Sequence, residues 1–443
     1  MTRQEELVEA TLALVAGRAD AEVHADVGRS SLTRFANSFI HQNVSEDASE
    51  VALKVAIDGR VSSSTTTDTT PEGLASFADA VIDTAAKQPV DDEWPGIGDP
   101  AGVVDVDHWD EATADADPVD RAMAVKAFVD AGDGMLAAGF CQTEARGHAF
   151  GNSNGARANG RFTTAVIDGI HQSPTSAGSG HGAGSKIGAL DAAAVGALAA
   201  QRASDSANPF DAKPGEYEVV LSPECVATIG IFLNFYGFNA KTAQEGMSFA
   251  ELGSQQFDES VNIWDDASDP RALYVPFDVE GTPKSRTDLV TEGITGSLLH
   301  NRRTAAKAGV ASTGHSVPGG DVYGPFALNM FIGGGDSTAE SLISNVERGI
   351  YVSTFNYCRV LDPKSLVVTG LTRNGTFMIE NGKITDAVTN LRFTQSFIDA
   401  LGPGNVAGIG DDARFADSEF GPLLVHAPSM QLASWNFTGG AEG

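Results

Sequence analysis

Val51-Ala52-Leu53-Lys54-Val55-Ala56-Ile57 alternates large apolar side chains with small or polar ones, and Asp58-Gly59 interrupts the pattern before it resumes at Val61. A period of two belongs to a strand with one buried face, because successive side chains point to opposite sides of a sheet. Asp-Gly supplies the left-handed residues of a tight hairpin turn. This stretch therefore predicts antiparallel sheet. Working outward, residues 20–27, 30–45 and 49–65 read as extended segments. Residues 4–16 carry Leu7, Ala10, Leu12, Leu14 and Val15 near helical spacing. Thr70-Pro71-Glu72 places a cap residue and a first-turn proline ahead of a helix running to about Ala86. Residues 1–90 are thus expected to form an N-terminal α/β domain, an antiparallel sheet flanked by helices.

An acidic, proline-containing connector follows over 91–118. Residues 88–120 hold eleven acids and no Lys or Arg, with Pro95, Pro100 and Pro118 among them. The acids lack the Asp-x-Asp-x-Asp-Gly spacing and closing Glu of a calcium loop, so a plain solvated connector is the better reading. Residues 119–212 form a middle segment: a helix over 119–137, strands over 139–150 and 155–170, and an Ala-rich helix over 191–204. Between them, residues 173–188 read as a mobile Gly/Ser loop, with glycines alternating at 178, 180, 182 and 184. It is not a G-x-G-x-x-G turn and no phosphate lysine follows. Residues 213–443 read as a mainly β domain with one buried helix, since residues 223–237 are apolar nearly all round. Asn381-Gly382 predicts a hairpin. Gly333-Gly334-Gly335 leads into a helix expected over 339–348, capped by Asp336 or Ser337. The fold class expected is α+β.

The 443 residues carry a net charge of −30. A surface this negative repels phosphate backbones and anionic lipids, so nucleic-acid and membrane-surface partners are disfavoured. No apolar run reaches the roughly 18 residues of a spanning helix, and the N-terminus lacks a signal-peptide layout. Cys141, Cys225 and Cys358 are too few and too scattered for a disulfide framework or zinc ribbon. A cytoplasmic protein is the expectation. None of the nine histidines has another three to five residues away, so no imidazole pair shares a helical face as a zincin-type site requires. Cys225, just inside a helix start, is a thiol whose pKa the dipole would lower, but a lone Cys on an apolar helix is more often core. His315, in a small polar turn, is a second isolated candidate.

Six blocks, in order, resemble the TldD/PmbA family (modulator of DNA gyrase family), and more specifically its TldE (PmbA) branch. They are Leu32-Thr33-Arg34-Phe35-Ala36-Asn37-Ser38-Phe39-Ile40-His41-Gln42-Asn43-Val44; Phe277-Asp278-Val279-Glu280-Gly281-Thr282-Pro283; Ser312-Thr313-Gly314; Glu347-Arg348-Gly349-Ile350-Tyr351-Val352; Ile379-Glu380-Asn381-Gly382-Lys383-Ile384; and the ending from Ala427-Pro428-Ser429 to Trp435-Asn436-Phe437-Thr438. The likeness covers nearly the whole chain.

The resemblance implies an N-terminal α/β domain, a C-terminal mainly β domain, and dimeric assembly. It also implies a role in cleaving unfolded or extended peptides, within a TldD/TldE heterodimer. TldD-type members carry His-Glu-x-x-x-His on a helix of the C-terminal domain, with a late Cys completing a zinc site. By an approximate alignment, Ile231 and Tyr236 stand where the two histidines would be and Phe232 where the glutamate would be. These are degenerate metal-helix positions, and no Cys follows Cys358. The expectation is a pseudoenzyme: no catalytic residue and no metal in this chain, with zinc in a TldD-type partner. Asn234 and His315 are candidate cavity-lining residues. The alternative is a stand-alone homodimer that binds peptides or metabolites without cleaving them.

Overall fold

The computed structural model describes residues 1–418 and 420–440. The quoted stretch lies in β2 (Phe39–Ile57), which turns at Asp58 (φ 49°) and Gly59 (φ 74°) into β3 (Arg60–Thr66). The Asp-Gly hairpin is where the sequence put it. Preceding β2 is β1 (Asp20–Ala36), each strand unbroken along its own length, and Asn37-Ser38, with φ angles of 51° and 64°, make the turn between them. The segments read from sequence, 20–27, 30–45 and 49–65, broke β1 and β2 where polar and small residues interrupt the apolar alternation and ran the middle one across the turn at 37–38.

Three further strands, β4 (Leu136–Asn152), β5 (Arg157–Gln172) and β6 (Ala177–Gly184), complete one antiparallel sheet of order β3-β2-β1-β4-β5-β6. β4 pairs directly with β1. Residues 1–90 and 119–212, divided by composition into two units, therefore build one sheet together. The connector between them contains one short turn of helix, α3 (Glu111–Ala114), which follows α1 (Arg3–Val15) and α2 (Pro71–Ala85). Thr70 caps α2 as expected, its hydroxyl accepting from Gly73 N at 3.0 Å.

One face of the sheet is covered by helices. At one end Leu7, Val8 and Leu12 of α1 and Leu74 and Val81 of α2 pack on Val23, Leu53 and Val55. At the other end, α4 (Pro118–Asp130) and α5 (Ala192–Asp205) pack on Phe35, Cys141 and Ile167. The Gly/Ser segment expected to be a loop is instead β6. Its glycines are a docking surface: a Cβ on Gly178 would lie 2.3 Å from Ala199 O, and one on Gly180 would lie 2.3 Å from Val195 O. Without side chains there, the backbone of α5 lies directly on the strand.

The second domain begins with β7 (Gly215–Leu221) and α6 (Pro223–Leu233), which ends in a π turn over Asn234–Phe238. The strands that follow are β8 (Ile263–Asp265), β9 (Thr287–Thr291), β10 (Ile294–Thr295), β11 (Met330–Ile332), β12 (Arg348–Asp362), β13 (Val367–Glu380), β14 (Lys383–Ala387), β15 (Leu391–Ser396), β16 (Val406–Ile409), β17 (Arg414–Ser418), β18 (Gly421–Ala427) and β19 (Met430–Gly440). They form two sheets, ordered β10-β9-β8-β11-β18-β17 and β12-β7-β19-β15-β13-β14, with β16 beside β19. α6 is buried along its whole length. One core joins it to Ile332 and Val425 of the first sheet and to Val352 and Leu432 of the second. The α+β class and the buried helix match the sequence reading.

Two local expectations change. The helix after the Gly333–Gly335 run spans only Ala339–Ser344, and Thr338 caps it, accepting from Ser341 N at 3.1 Å. Ser337 is held in a bridge to Gly410 instead, its carbonyl accepting from Asp411 N at 2.8 Å rather than from the first turn of the helix. Arg348 opens β12 rather than closing a helix. The Asn381-Gly382 hairpin stands, with φ of 51° and 75°.

The connector lies along the second domain. Asp91 pairs with Arg303, and His108 Nε2 lies 2.9 Å from Ala267 O. Beside it Arg302 bonds to Glu22 of β1 and to Gly96 O. These contacts hold the two domains together.

Candidate functional site

Along β5, Ile167 points into the helix-covered core while Thr164, Val166, Asp168 and Ile170 point the other way. On β4, Phe140, Gln142 and Glu144 share that second face. It does not meet solvent directly: the second domain stands over it, and a cavity of about 800 Å³ lies between them. The opposite wall comes from Glu224 and Thr228 of α6, Asn356 of β12 and Arg373 of β13, and Asp417 and Leu424 of β17 and β18. A neighbouring cavity of about 650 Å³ lies between β1, β2 and the 275–284 and 316–321 segments. Glu144, Tyr274 and Leu328 line both, so the two adjoin at a shared wall. Sites of this size, between domains, with an apolar lining and a few convergent polar groups, are where ligands bind.

The polar groups of the large cavity form two clusters. In the first, His181 of β6 sits opposite Asp168 of β5 in the ladder. Its Nδ1 lies 3.2 Å from Asp168 Oδ2 and 3.7 Å from Asp417 Oδ1. Burial opposes charge on this imidazole, but Asp417 and Asp168 outweigh it, and the pKa is raised to about 9. Burial holds the Asp417 carboxyl above its ordinary range, His181 pulling down and Asp168 and Glu224 pushing up. In the second cluster Arg414 Nη2 donates to Glu224 Oε1 at 2.5 Å. Burial would raise the Glu224 pKa, yet Arg414 and Arg202 bring it down to about 2. Arg202 is buried, donating to Ser179 O at 2.9 Å and to the Tyr351 hydroxyl at 3.3 Å.

The smaller cavity carries a histidine pair. His148 Nδ1 and His24 Nε2 are 3.2 Å apart, and His148 Nε2 lies 3.4 Å from Asp26. Burial, then His148, holds His24 down to about 3, and burial lowers His148 as well.

The residues singled out from sequence lie elsewhere. Ile231 and Phe232 are in the hydrophobic core, and Tyr236 packs against it from the π turn, 6.1 Å ring to ring from Phe232. Neither cavity is lined by any of the three. The cavity-facing positions of α6 are Glu224 and Thr228, four apart on a helix with no other polar residue. That spacing was available in the sequence and was missed. Toward the cavity the helix offers a carboxylate already bound to arginine and a hydroxyl, which do not fit a zinc site of imidazoles and thiolate. Asn234 and His315 do not line either cavity. Asn234 Nδ2 donates to Ala327 O at 2.9 Å and its Oδ1 accepts from Ala327 N at 3.1 Å, a bond pair that joins the π turn to the loop before β11. His315 is fully buried, with Nε2 3.0 Å from Asp265 Oδ1 and Nδ1 2.8 Å from the Thr313 hydroxyl. Burial and the neighbouring Glu224 push the Cys225 thiol well up, which removes it as a nucleophile. Among the described residues no helix is long and apolar enough to cross a membrane.

Comparison with known proteins places this geometry. Residues 214–439 match the family model described as the PmbA/TldA metallopeptidase C-terminal domain. A protein named metalloprotease from Methanothermobacter thermautotrophicus is 27% identical over 206 residues, 45% of this chain and 44% of that one. The metalloprotease TldD homolog of Buchnera aphidicola is 25% identical over 174 residues, 37% of this chain and 35% of that one. The matched segments thus span less than half the length of these curated relatives. The crystal structure of TldE from Thermococcus kodakarensis superposes with a TM-score of 0.86 at 15% identity, covering 98% of this chain and 99% of that one. At that identity the likeness is one of fold.

Proposed function

The chain belongs to the TldD/PmbA metallopeptidase family, and from that membership we propose that it is a TldE-like, non-catalytic subunit of a TldD/TldE-type complex acting on unfolded or extended peptides. The observation that carries this reading is the cavity face of α6. On the helix where a TldD-type member would carry His-Glu-x-x-x-His, Glu224 and Thr228 face the cavity, and Arg414 neutralises Glu224. A hydroxyl and an arginine-bound carboxylate neither hold zinc nor activate its water. Zinc and nucleophile come from the partner, and this chain closes the chamber.

The cavities favour an extended ligand. They adjoin through Glu144, Tyr274 and Leu328, and β5 presents a row of alternating side chains toward the larger one. A strand-like peptide can lie along such a row, while Asn356, Arg373 and Gln142 supply polar partners for its amides. The test is to purify the chain alone and with its TldD-type partner, then to measure chelator-sensitive cleavage of an unfolded peptide. Cleavage by the pair and none by the single chain is expected. Chelator-sensitive cleavage by the isolated chain overturns the reading. A stable homodimer that ignores the partner overturns it too, and leaves a stand-alone binding protein.

A further inference from the structure

His181, Asp168 and Asp417 come from three strands and two domains, yet one ligand atom from each lies within 4.8 Å of the other two. Two of the three are fixed by the β5–β6 ladder, where Asp168 and His181 are directly paired. The third arrives on β17, which packs its edge against β6. The His181 side chain is 4% exposed, whereas Asp168 and Asp417 keep 33% and 34% of theirs open toward the cavity. A second observation is independent of this triad. Glu224, whose side chain is 4% exposed, acts electrostatically on both His181 and Asp417, and its Oε2 has no hydrogen-bond partner. His181 Nε2 also lacks a partner. Buried polar atoms without partners are costly and call for an explanation, and a bound cation beside them is one.

Charge and distance indicate which cation fits. Without an ion, the two carboxylates hold a proton on the His181 imidazole; a divalent cation would displace that proton and balance the two negative charges in its place. Metal–ligand distances of about 2.0–2.2 Å place neighbouring ligand atoms roughly 3–3.5 Å apart. The two distances from His181, 3.2 Å and 3.7 Å, are close to that spacing, and the whole set lies within 4.8 Å, so a bound ion would draw the three side chains together. A mixed set of one imidazole and two carboxylates suits first-row ions such as Mn²⁺ or Zn²⁺, whereas Ca²⁺ and Mg²⁺ prefer all-oxygen shells.

We propose that Asp168, His181 and Asp417 form a divalent transition-metal site that ties β5 and β6 of the first domain to β17 of the second. Its remaining coordination positions face the cavity, where water or a peptide carbonyl completes the shell. The site uses no residue of the His-Glu-x-x-x-His pattern and does not depend on the subunit reading above.

The test uses the full chain, tag-free and stripped with chelator. Mn²⁺ and, separately, Zn²⁺ are titrated by calorimetry, and electron paramagnetic resonance of the Mn²⁺ sample reports nitrogen coordination. One ion per chain is expected, with a rise in the melting temperature. Asp417→Asn and His181→Gln should each weaken binding at least tenfold, while Asp47→Asn, an exposed acid elsewhere, changes nothing. Asp168→Asn is the substitute if either triad variant fails to fold. Absence of saturable binding overturns the proposal. Equal binding by the triad variants also overturns it, because the ions then sit on surface acids. Cleavage by the metal-loaded single chain would overturn the subunit reading and leave this site standing.

Discussion

Glu224 and Thr228 stand four residues apart on a helix whose other positions are apolar, and that spacing puts both on one side. The side they share faces the cavity. Glu224 is held there by Arg414 and, more distantly, by Arg202. Removing its charge leaves two guanidinium groups without their counter-ion, one of them fully buried. Glu224→Gln should therefore cost about 3 kcal/mol, the low end for breaking a buried pair, since Arg414 retains contact with water. Urea denaturation of the two proteins measures it. A loss below about 0.5 kcal/mol would mean that the pair is no stronger than a surface one. At this scale the sequence showed a polar pair on an apolar helix. What it could not show is that Arg202, Asp417 and His181 would meet there, because no local pattern connects positions 181, 202, 224 and 417.

At the scale of elements, β6 is the instructive case. Ala177-Gly178-Ser179-Gly180-His181-Gly182 reads as a loop, because glycine in a strand weakens it and gives no apolar alternation. The strand forms because α5 rests on it, and the missing side chains are what let the helix approach. Gly180→Ala should lower stability by about 1–3 kcal/mol, through overpacking against the backbone of α5. Gly184→Ala, on the same strand but with open space around its Cβ position, should be close to neutral. Thermal unfolding of the pair separates the two cases. Equal effects would show that strand propensity rather than helix docking is at work. The shortened helix Ala339–Ser344 teaches the same lesson: its start is set by a bridge between Ser337 and Gly410, over seventy residues apart.

Whole-molecule behaviour follows from buried titratable groups and from net charge. His24 is held to about 3 by burial first and His148 second, with Asp26 pulling the other way. Burial, then Asp26 against Arg146 and Lys284, leaves His148 lowered, and His426 is held to about 4 chiefly by burial. These imidazoles are neutral when folded, so the unfolded chain binds the extra protons once pH falls below about 6.5. The contribution of these three imidazoles is full above that pH and declines below it, by up to about 1.4 kcal/mol per pH unit for each group, whereas His181, raised to about 9, contributes below about pH 6.5 and loses its contribution as pH rises toward 9. Glu224, lowered to about 2, adds a further loss as pH falls below its ordinary range. Denaturation curves at pH 7 and 5.5 should show the drop, and His24→Gln should flatten the slope by about one proton. An unchanged slope would mean that His24 is protonated in the folded state. The net charge of −30 has a separate consequence. Like charges repel across the surface, and salt shortens their reach from about 10 Å at 0.1 M to about 3 Å at 1 M. The melting temperature should rise between those concentrations of KCl, and a fall would mean that attractive ion pairs such as Arg303–Asp91 dominate.

The sequence by itself determined the class of this protein and many of its local turns. Alternation in 51–57, the Asp58-Gly59 and Asn381-Gly382 pairs and the Thr70 cap act between neighbours in the chain, so their effect is written where they stand. It also held the six blocks that resemble the TldD/PmbA family. Tertiary structure decided the rest. It made one sheet of residues 1–90 and 119–212, turned a glycine loop into a strand, turned Glu224 and Thr228 of α6 toward the cavity, and brought Asp168, His181 and Asp417 together. Each of these depends on contacts between residues far apart in the chain, whose free energy comes from packing and charge in three dimensions and leaves no periodic trace in one.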